Sequence, residues 1–268
     1  MRQFVSSVPP NSNGLLEISG KDFHYLKNVL RLSVGDMAPV SIPGGQLLQT
    51  TVCKIDSASR KIVLQVCDSG KKSLFESPAL EAEIFSLLQF IPKPQKMELI
   101  VRQAAECGIK NIVPVMGEYS QGGNEKALQK LERFERVIKE ARQQSGSQVE
   151  TKIFQPQKLE AALDLAGGDD FLGGQNFPAA KLVFYERTEK TVPLHSALFG
   201  PDCLKPRSVT FAVGSEGGVS PSEFDLLLSR GFKAVHFDTN ILRCETAALY
   251  AAAAIQSALA LFDNFNRR

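Results

Sequence analysis

The chain has 268 residues, 43% of them hydrophobic and 22% charged, with 31 Lys/Arg against 29 Asp/Glu for a net charge of +2. This ordinary globular composition excludes a disordered, collagenous or mucin-like chain, and a chain of this length buries enough surface to fold without a metal or disulfide staple. The small net charge excludes strong non-specific nucleic-acid binding by the whole surface, but residues 1–75 hold nine basic and five acidic residues and the remainder 22 and 24, a weak pointer to an RNA- or phosphate-facing N-terminal module.

Residues 1–75 read as β-rich. Apolar runs at Ala38–Ile42, Leu47–Ile55 and Lys61–Val66 are separated by turn signals at Val34-Gly35-Asp36, Pro43-Gly44-Gly45 and Asp56–Ser59. One helix is expected over Asp22–Leu32, with Phe23, Leu26 and Leu30 on one face. Small β-barrels with a helical insert have this pattern. Residues 70–80, rich in charge and Ser with one Pro, read as a linker, so the domains are expected at 1–74 and 75–268. Beyond the linker, strands and helices alternate, which argues for an α/β domain with a mainly parallel sheet. Strands are expected at Glu83–Ile91, Asn111–Met116, Thr151–Gln155, Lys181–Glu186, Ser208–Val213 and Ala234–Asp238. Helices are expected at Lys96–Cys107, closed by Gly108, and at Asn124–Ser145, closed by Gly146. Residues 166–180 read as a loop.

Compartment signals are consistent with a cytoplasmic protein. Cys53, Cys67, Cys107, Cys203 and Cys244 form no C-x-x-C pair, so neither a disulfide framework nor a zinc ribbon is indicated. His195 and His236 lack ligand-spaced partners, and no metal is expected. The N-terminus has no apolar core of a signal peptide. The longest apolar stretch, Ala247–Phe262, is shorter than the ~20 residues of a membrane span and reads as a packed helix.

The segment richest in chemistry is Val209–Ala248. A strand runs into Gly214-Ser215-Glu216-Gly217-Gly218, and Ser220-Pro221-Ser222-Glu223 then forms a capping box with proline at the first helical position. A second strand leads through Phe237-Asp238-Thr239-Asn240 and Ile241-Leu242-Arg243 into a final helix opened by Glu245 and Thr246. Both loops follow strand C-termini, where open α/β sheets bind ligands. Neither a dinucleotide fingerprint nor a phosphate-binding P-loop is present.

Gly214-x-Glu216-Gly217-Gly218 followed by Ile241-Leu242-Arg243-x-Glu245-Thr246-Ala247 resembles the knotted SPOUT methyltransferases, and within them the bacterial 16S rRNA uridine-N3 methyltransferase family. His24-x4-Val29-Leu30-Arg31 is similar to that family's N-terminal PUA-like module, Lys96-Met97-Glu98 with Glu106-x-Gly108 to the first helix of its catalytic domain, and Gln144-Ser145-Gly146 to the end of a later helix. The resemblance implies a trefoil-knotted α/β domain with a small PUA-like β-barrel, a homodimer paired through knot-region helices, and a uridine of small-subunit rRNA as substrate. It implies that S-adenosylmethionine is held by Phe184, Tyr185 and Glu186, by Gly214, Ser215, Glu216, Gly217 and Gly218, and by Phe237, Asp238, Ile241, Leu242 and Thr246.

Uridine N3 is a poor nucleophile until its proton leaves, so catalysis needs proximity with a base or a cation for the developing anion. Arg243, permanently charged, is the candidate cation. Glu245 or Glu216 would accept a proton or orient it, while Glu245 would also serve simply to stabilise the start of its helix. Lys21, His24, Lys27 and Arg31 form the expected RNA-facing patch, joined by Lys96 and Arg102. The chain departs from the family pattern at Ser215 (usually proline, so a stiff turn residue is lost), Asp238 (usually glycine), Asn240 (usually arginine), Gln103 (usually lysine) and Ser147 (usually arginine). These departures keep two alternatives open: an RNA-binding relative without methyl transfer, and a methyltransferase for another RNA nucleotide.

Overall fold

The computed structural model describes residues 3–67, 83–120, 131–168, 171, 178–200 and 204–266. The expected linker, the first part of the helix expected from Asn124, most of the expected 166–180 loop and Cys203 lie outside the described residues. The chain divides into two units, Met1–Leu80 with Arg142–Glu150, and Glu81–Ala141 with Thr151–Arg268.

The smaller unit is a five-stranded sheet ordered β1 (Phe4–Val5), β3 (Met37–Ser41), β4 (Leu47–Asp56), β5 (Lys61–Val66), β2 (Leu15–Ser19). All pairs are antiparallel except β1 with β3. Alternation places Val40, Val52, Ile62 and Leu64 on the inner face, where they meet Phe4, Leu16, Phe23 and Leu26. The helical insert differs from the expected single helix. A short α1 (Gly20–His24) passes into a π-helical turn at Tyr25–Val29. Arg31 lies beyond it in the left-handed region at φ 57°, so His24 and Arg31 of the expected RNA-facing patch do not share one helical face. Residues of the 142–150 segment close this unit: the Gln3 side chain donates to the Arg142 and Ser147 carbonyls, at 3.2 and 2.8 Å.

The larger unit carries an all-parallel sheet ordered β12 (Lys233–Val235), β10 (Ala179–Phe184), β11 (Ser208–Val213), β6 (Ile84–Phe90), β7 (Asn111–Met116), β8 (Lys152–Ile153), with β9 (Gln157–Lys158) also pairing β7. A strand buried on both faces needs apolar side chains at consecutive positions. Accordingly Leu87, Leu182 and Phe211 point into one core and their neighbours Leu88, Val183 and Ala212 into the other. The first core is covered by α2 (Pro94–Glu106), α3 (Leu131–Ser145), α5 (Leu194–Phe199) and α7 (Cys244–Asn266). The second is covered by α4 (Leu159–Ala166) and α6 (Pro221–Ser229). Gly108 at φ 73° and Gly146 at φ 78° end α2 and α3 in the conformation that glycine adopts without strain.

The strand expected over Ala234–Asp238 begins one residue earlier and stops at Val235, which releases residues 236–242 as a loop. α7 is longer than the apolar run that suggested it, and Cys244–Asn264 is long and apolar enough by composition to cross a membrane. One face of it packs against α2 and β11 through Ala248, Ala251, Ala252, Ile255 and Leu259.

Leu87 is buried in the central strand against α2 and α7. Leu87→Ala is expected to lower the urea unfolding midpoint by the equivalent of about 2–5 kcal/mol. An unchanged midpoint would contradict this packing.

Candidate active site

The C-terminal ends of β10, β11 and β12 open into one cleft of about 230 Å3. Phe184, Tyr185 and Glu186 line it from β10, residues 213–219 from β11 and its loop, and Val235, His236, Phe237, Thr239, Asn240, Ile241 and Leu242 from β12 and its loop, with Cys244 and Ala247 from α7. This is the edge where parallel α/β sheets bind ligands.

The glycine loop is built by close approach. A Cβ at Gly214 would lie 2.7 Å from the Gly218 carbonyl carbon, and one at Gly217 would lie 2.8 Å from the Tyr119 Cβ. Gly218, at φ 78°, faces the Glu186 carboxylate at 3.3 Å from its Cβ position. Beneath the loop, the buried Gln89 amide donates to the carbonyls of Val213 and Gly214 at 3.3 and 3.2 Å. Ser215 is buried and its hydroxyl donates to the Tyr119 carbonyl at 3.1 Å. The loss of proline therefore does not simply loosen this loop, because the serine side chain ties it to the loop after β7. That second loop is held in turn by Glu223. Besides closing the capping box with Ser220, its carboxylate accepts from the Glu118 backbone N–H at 2.7 Å.

The charged groups are arranged differently from the sequence expectation. Lys96 sits between two carboxylates, 3.4 Å from Glu216 Oε1 and 3.2 Å from Glu245 Oε2. Glu216 also accepts from the Lys93 backbone N–H at 3.2 Å. Burial works to lower the Lys96 ammonium, but Glu245, Cys244 and Glu216 outweigh it and hold it above its ordinary value. Burial likewise works to raise Glu245, but its own backbone N–H, the Cys244 thiol and Lys96 hold the carboxyl below its usual range. Arg243 is exposed between Leu242 and Cys244, which both line the cleft, and among the described residues its guanidinium has no ion-pair partner. Neither glutamate orients it. Arg102 pairs with Glu98 at 3.9 Å.

Of the expected cofactor residues, Phe184, Tyr185, Glu186, Gly214–Gly218, Phe237, Ile241 and Leu242 come together in the cleft, whereas Asp238 and Thr246 are exposed and do not line it. Lys21, His24 and Arg31 are exposed in the smaller unit and Lys27 is half-buried. Sequence reasoning missed His236, whose Nδ1 lies 3.1 Å from the Tyr185 carbonyl. It also missed Cys244, whose buried thiol is pushed up to about 12 by burial, by its hydrogen bond to Glu245 and by the charge of Glu216. His236 read as mid-strand in the expected Ala234–Asp238 run and falls in the loop only because the strand stops at Val235, and nothing local marks Cys244. Among the described residues no cluster of metal ligands occurs.

Residues 81–256 match the model of the RNA methyltransferase domain. The chain belongs to this family. It is similar over 95% of its length to a ribosomal RNA small subunit methyltransferase E 2 of Borreliella burgdorferi (27% identity, 94% of that protein), and over 89% to the ribosomal RNA small subunit methyltransferase E of Bacillus subtilis (26% identity, 88% of that protein). The fold is that of the ribosomal RNA small subunit methyltransferase E of Neisseria gonorrhoeae, solved bound to S-adenosyl methionine. The TM-score is 0.76 at 22% identity, covering 96% of this chain and 97% of that one. A methyltransferase of Legionella pneumophila, solved with bound cofactor, gives a TM-score of 0.71 at 22% identity over 96% of this chain and 98% of that one.

A thiol held near 12 stays protonated and unreactive at pH 8. Maleimide labelling of the native protein at pH 8, mapped by peptide mass spectrometry, is expected to modify exposed Cys53 well before Cys244. Labelling of Cys244 at the rate of Cys53 would contradict the buried site.

Proposed function

We propose that the chain is an S-adenosylmethionine-dependent methyltransferase acting on N3 of a uridine in 16S rRNA of the small ribosomal subunit, working in the cytoplasm as a homodimer with a trefoil-knotted catalytic domain. The observation that carries this reading is the cleft at the ends of β10, β11 and β12, lined on one side by a glycine loop without room for a Cβ at Gly214 or Gly217. The names of the full-length relatives support the rRNA substrate.

The residues present fit the cofactor. Backbone carbonyls and the Glu186 carboxylate, which has no ion-pair partner among the described residues, suit a positively charged sulfonium, and Phe184 stacks on Phe237 with ring centroids 4.8 Å apart to give an apolar wall. The Cys244 thiol in the lining is held protonated and does not compete as a nucleophile. S-adenosylmethionine, when bound, supplies an electrophilic methyl group. Phe184–Glu186, Gly214–Gly218, Phe237, Ile241 and Leu242 would hold it, with Asp238 and Thr246 at the edge.

Arg243 then has the catalytic role. Its exposed guanidinium, unshared with Glu216 or Glu245, stabilises the negative charge that develops on the uracil as its N3 proton departs. Glu245 is a weak proton acceptor because its environment favours the ionised form, so the main effects are charge stabilisation and proximity. Lys21, His24, Lys27 and Arg31 of the smaller unit would contact the RNA backbone, with Arg102 adding a further cation. The homodimer is supported by α7, which exposes Leu249, Tyr250 and Leu261 at 37%, 45% and 55%, and by Ile241, 87% exposed at the cleft.

Small ribosomal subunits lacking the modification, incubated with methyl-labelled S-adenosylmethionine and digested to nucleosides, are expected to yield labelled N3-methyluridine. Arg243→Ala should reduce turnover by about 10²–10³ with little change in cofactor affinity. Binding of subunits without transfer, or label on another nucleoside, would overturn the reading. Equal loss of turnover and cofactor affinity would remove Arg243 from the catalytic role.

A further inference from the structure

The two walls of the cleft come from segments far apart in the chain, and among the polar contacts between them one side chain stands out. Lys96, one turn into α2, lies within ion-pair distance of Glu216 in the glycine loop and of Glu245 in the first turn of α7. Its Nζ is also 4.0 Å from the Cys244 Sγ. The Lys93 backbone N–H, at the cap of α2, adds a second tie to the same Glu216 oxygen. The three charged side chains are largely withdrawn from water, at 27%, 22% and 15% exposure, so their attraction is screened less than that of a surface pair. Glu216 belongs to the cleft-lining loop that includes Gly214 and Gly217, and Glu245 directly follows Cys244, which lines the cleft with Leu242.

We infer that Lys96 is a positioning residue, its ammonium tying the Gly214–Gly218 loop to the start of α7 and so setting the width of the cleft, and that it is not an RNA contact. The consequence for Arg243 is direct. With Glu216 and Glu245 both paired to Lys96, the guanidinium one residue before Cys244 has no ion-pair partner among the described residues. The inference deepens the proposed function in its affinity arm alone, since the tie itself exists in the ligand-free protein.

Electrostatics alone and positioning predict opposite signs. One ammonium between two carboxylates leaves the cluster net negative, so if Lys96 acted only through its charge, Lys96→Met would make the cleft more negative and tighten a cationic ligand. If Lys96 holds the walls together, the same variant loosens both loops and weakens binding.

The test compares wild type, Lys96→Met, Lys96→Arg and Glu216→Gln as full-length chains. In ligand-free protein, amide hydrogen exchange in Lys96→Met is expected to speed up in 214–218 and 241–246 together, with Lys96→Arg restoring most of the protection. Titration with S-adenosylmethionine should give about tenfold weaker binding in Lys96→Met and Glu216→Gln, with binding partly regained in Lys96→Arg. Filter binding of transcribed 16S rRNA across a potassium chloride series should leave the salt slope of Lys96→Met at the wild-type value, whereas loss of a phosphate contact would reduce it by about one. Unchanged exchange in both segments, tighter cofactor binding, or a reduced salt slope would each overturn the inference. If Lys96→Met does not fold, Glu216→Gln carries the same exchange readout, and unchanged exchange in Glu216→Gln overturns it. Wild-type protein that fails to bind S-adenosylmethionine counts against the proposed function, while the exchange result still decides the role of Lys96.

Discussion

The site depends on how closely the backbone of residues 214–218 folds back on itself and onto the neighbouring loop. With no room for a Cβ at Gly214 or Gly217, the chain after β11 turns within van der Waals distance of Gly218 and Tyr119. The Gln89 amide below and the Ser215 hydroxyl beside it hold the turn in place. A larger side chain in that turn would displace the loop from the neighbouring strand ends. The parallel sheet supplies the platform: β10, β11 and β12 are neighbours whose C-termini point the same way, so three consecutive loops converge without any of them being long.

Charge is distributed so that one cation is used structurally and another is left available. Lys96 is enclosed by carboxylates and raised above its ordinary value, while Arg243, close by in the chain to Glu245, has no ion-pair partner among the described residues. A lysine fits the first role, because a compact ammonium can sit between two carboxylates. An arginine fits the second, because its charge cannot be lost in a changing environment. The thiol of Cys244 beneath them stays neutral, which keeps the cleft free of a competing nucleophile.

Much of this was legible before the structure. Asn111–Met116 and Ser208–Val213 are mostly apolar runs, as a sheet buried on both faces demands, and they form strands at those bounds. Ser220-Pro221-x-Glu223 carries its helix start in four residues. Two-residue β1, the short helices α4 and α5, and the π-helical turn were not legible, because too few residues define a period and packing decides the conformation. Ser215 looked like a lost stiff residue, since its hydroxyl partner is 96 positions away. Lys96 looked like an RNA contact because the groups that enclose it lie 120 and 149 residues further on. Side chains that reach across the fold leave no spacing to read.

The proposed function stands or falls on the glycine loop after β11 being one wall of the S-adenosylmethionine site. Isothermal titration of wild type and Gly217→Val with S-adenosylmethionine tests it most directly. A valine side chain there would collide with Tyr119 and displace the loop. Saturable binding by the wild type and its loss in Gly217→Val, with the variant still folded, is the expected result. Equal affinity in the two proteins would place the cofactor elsewhere.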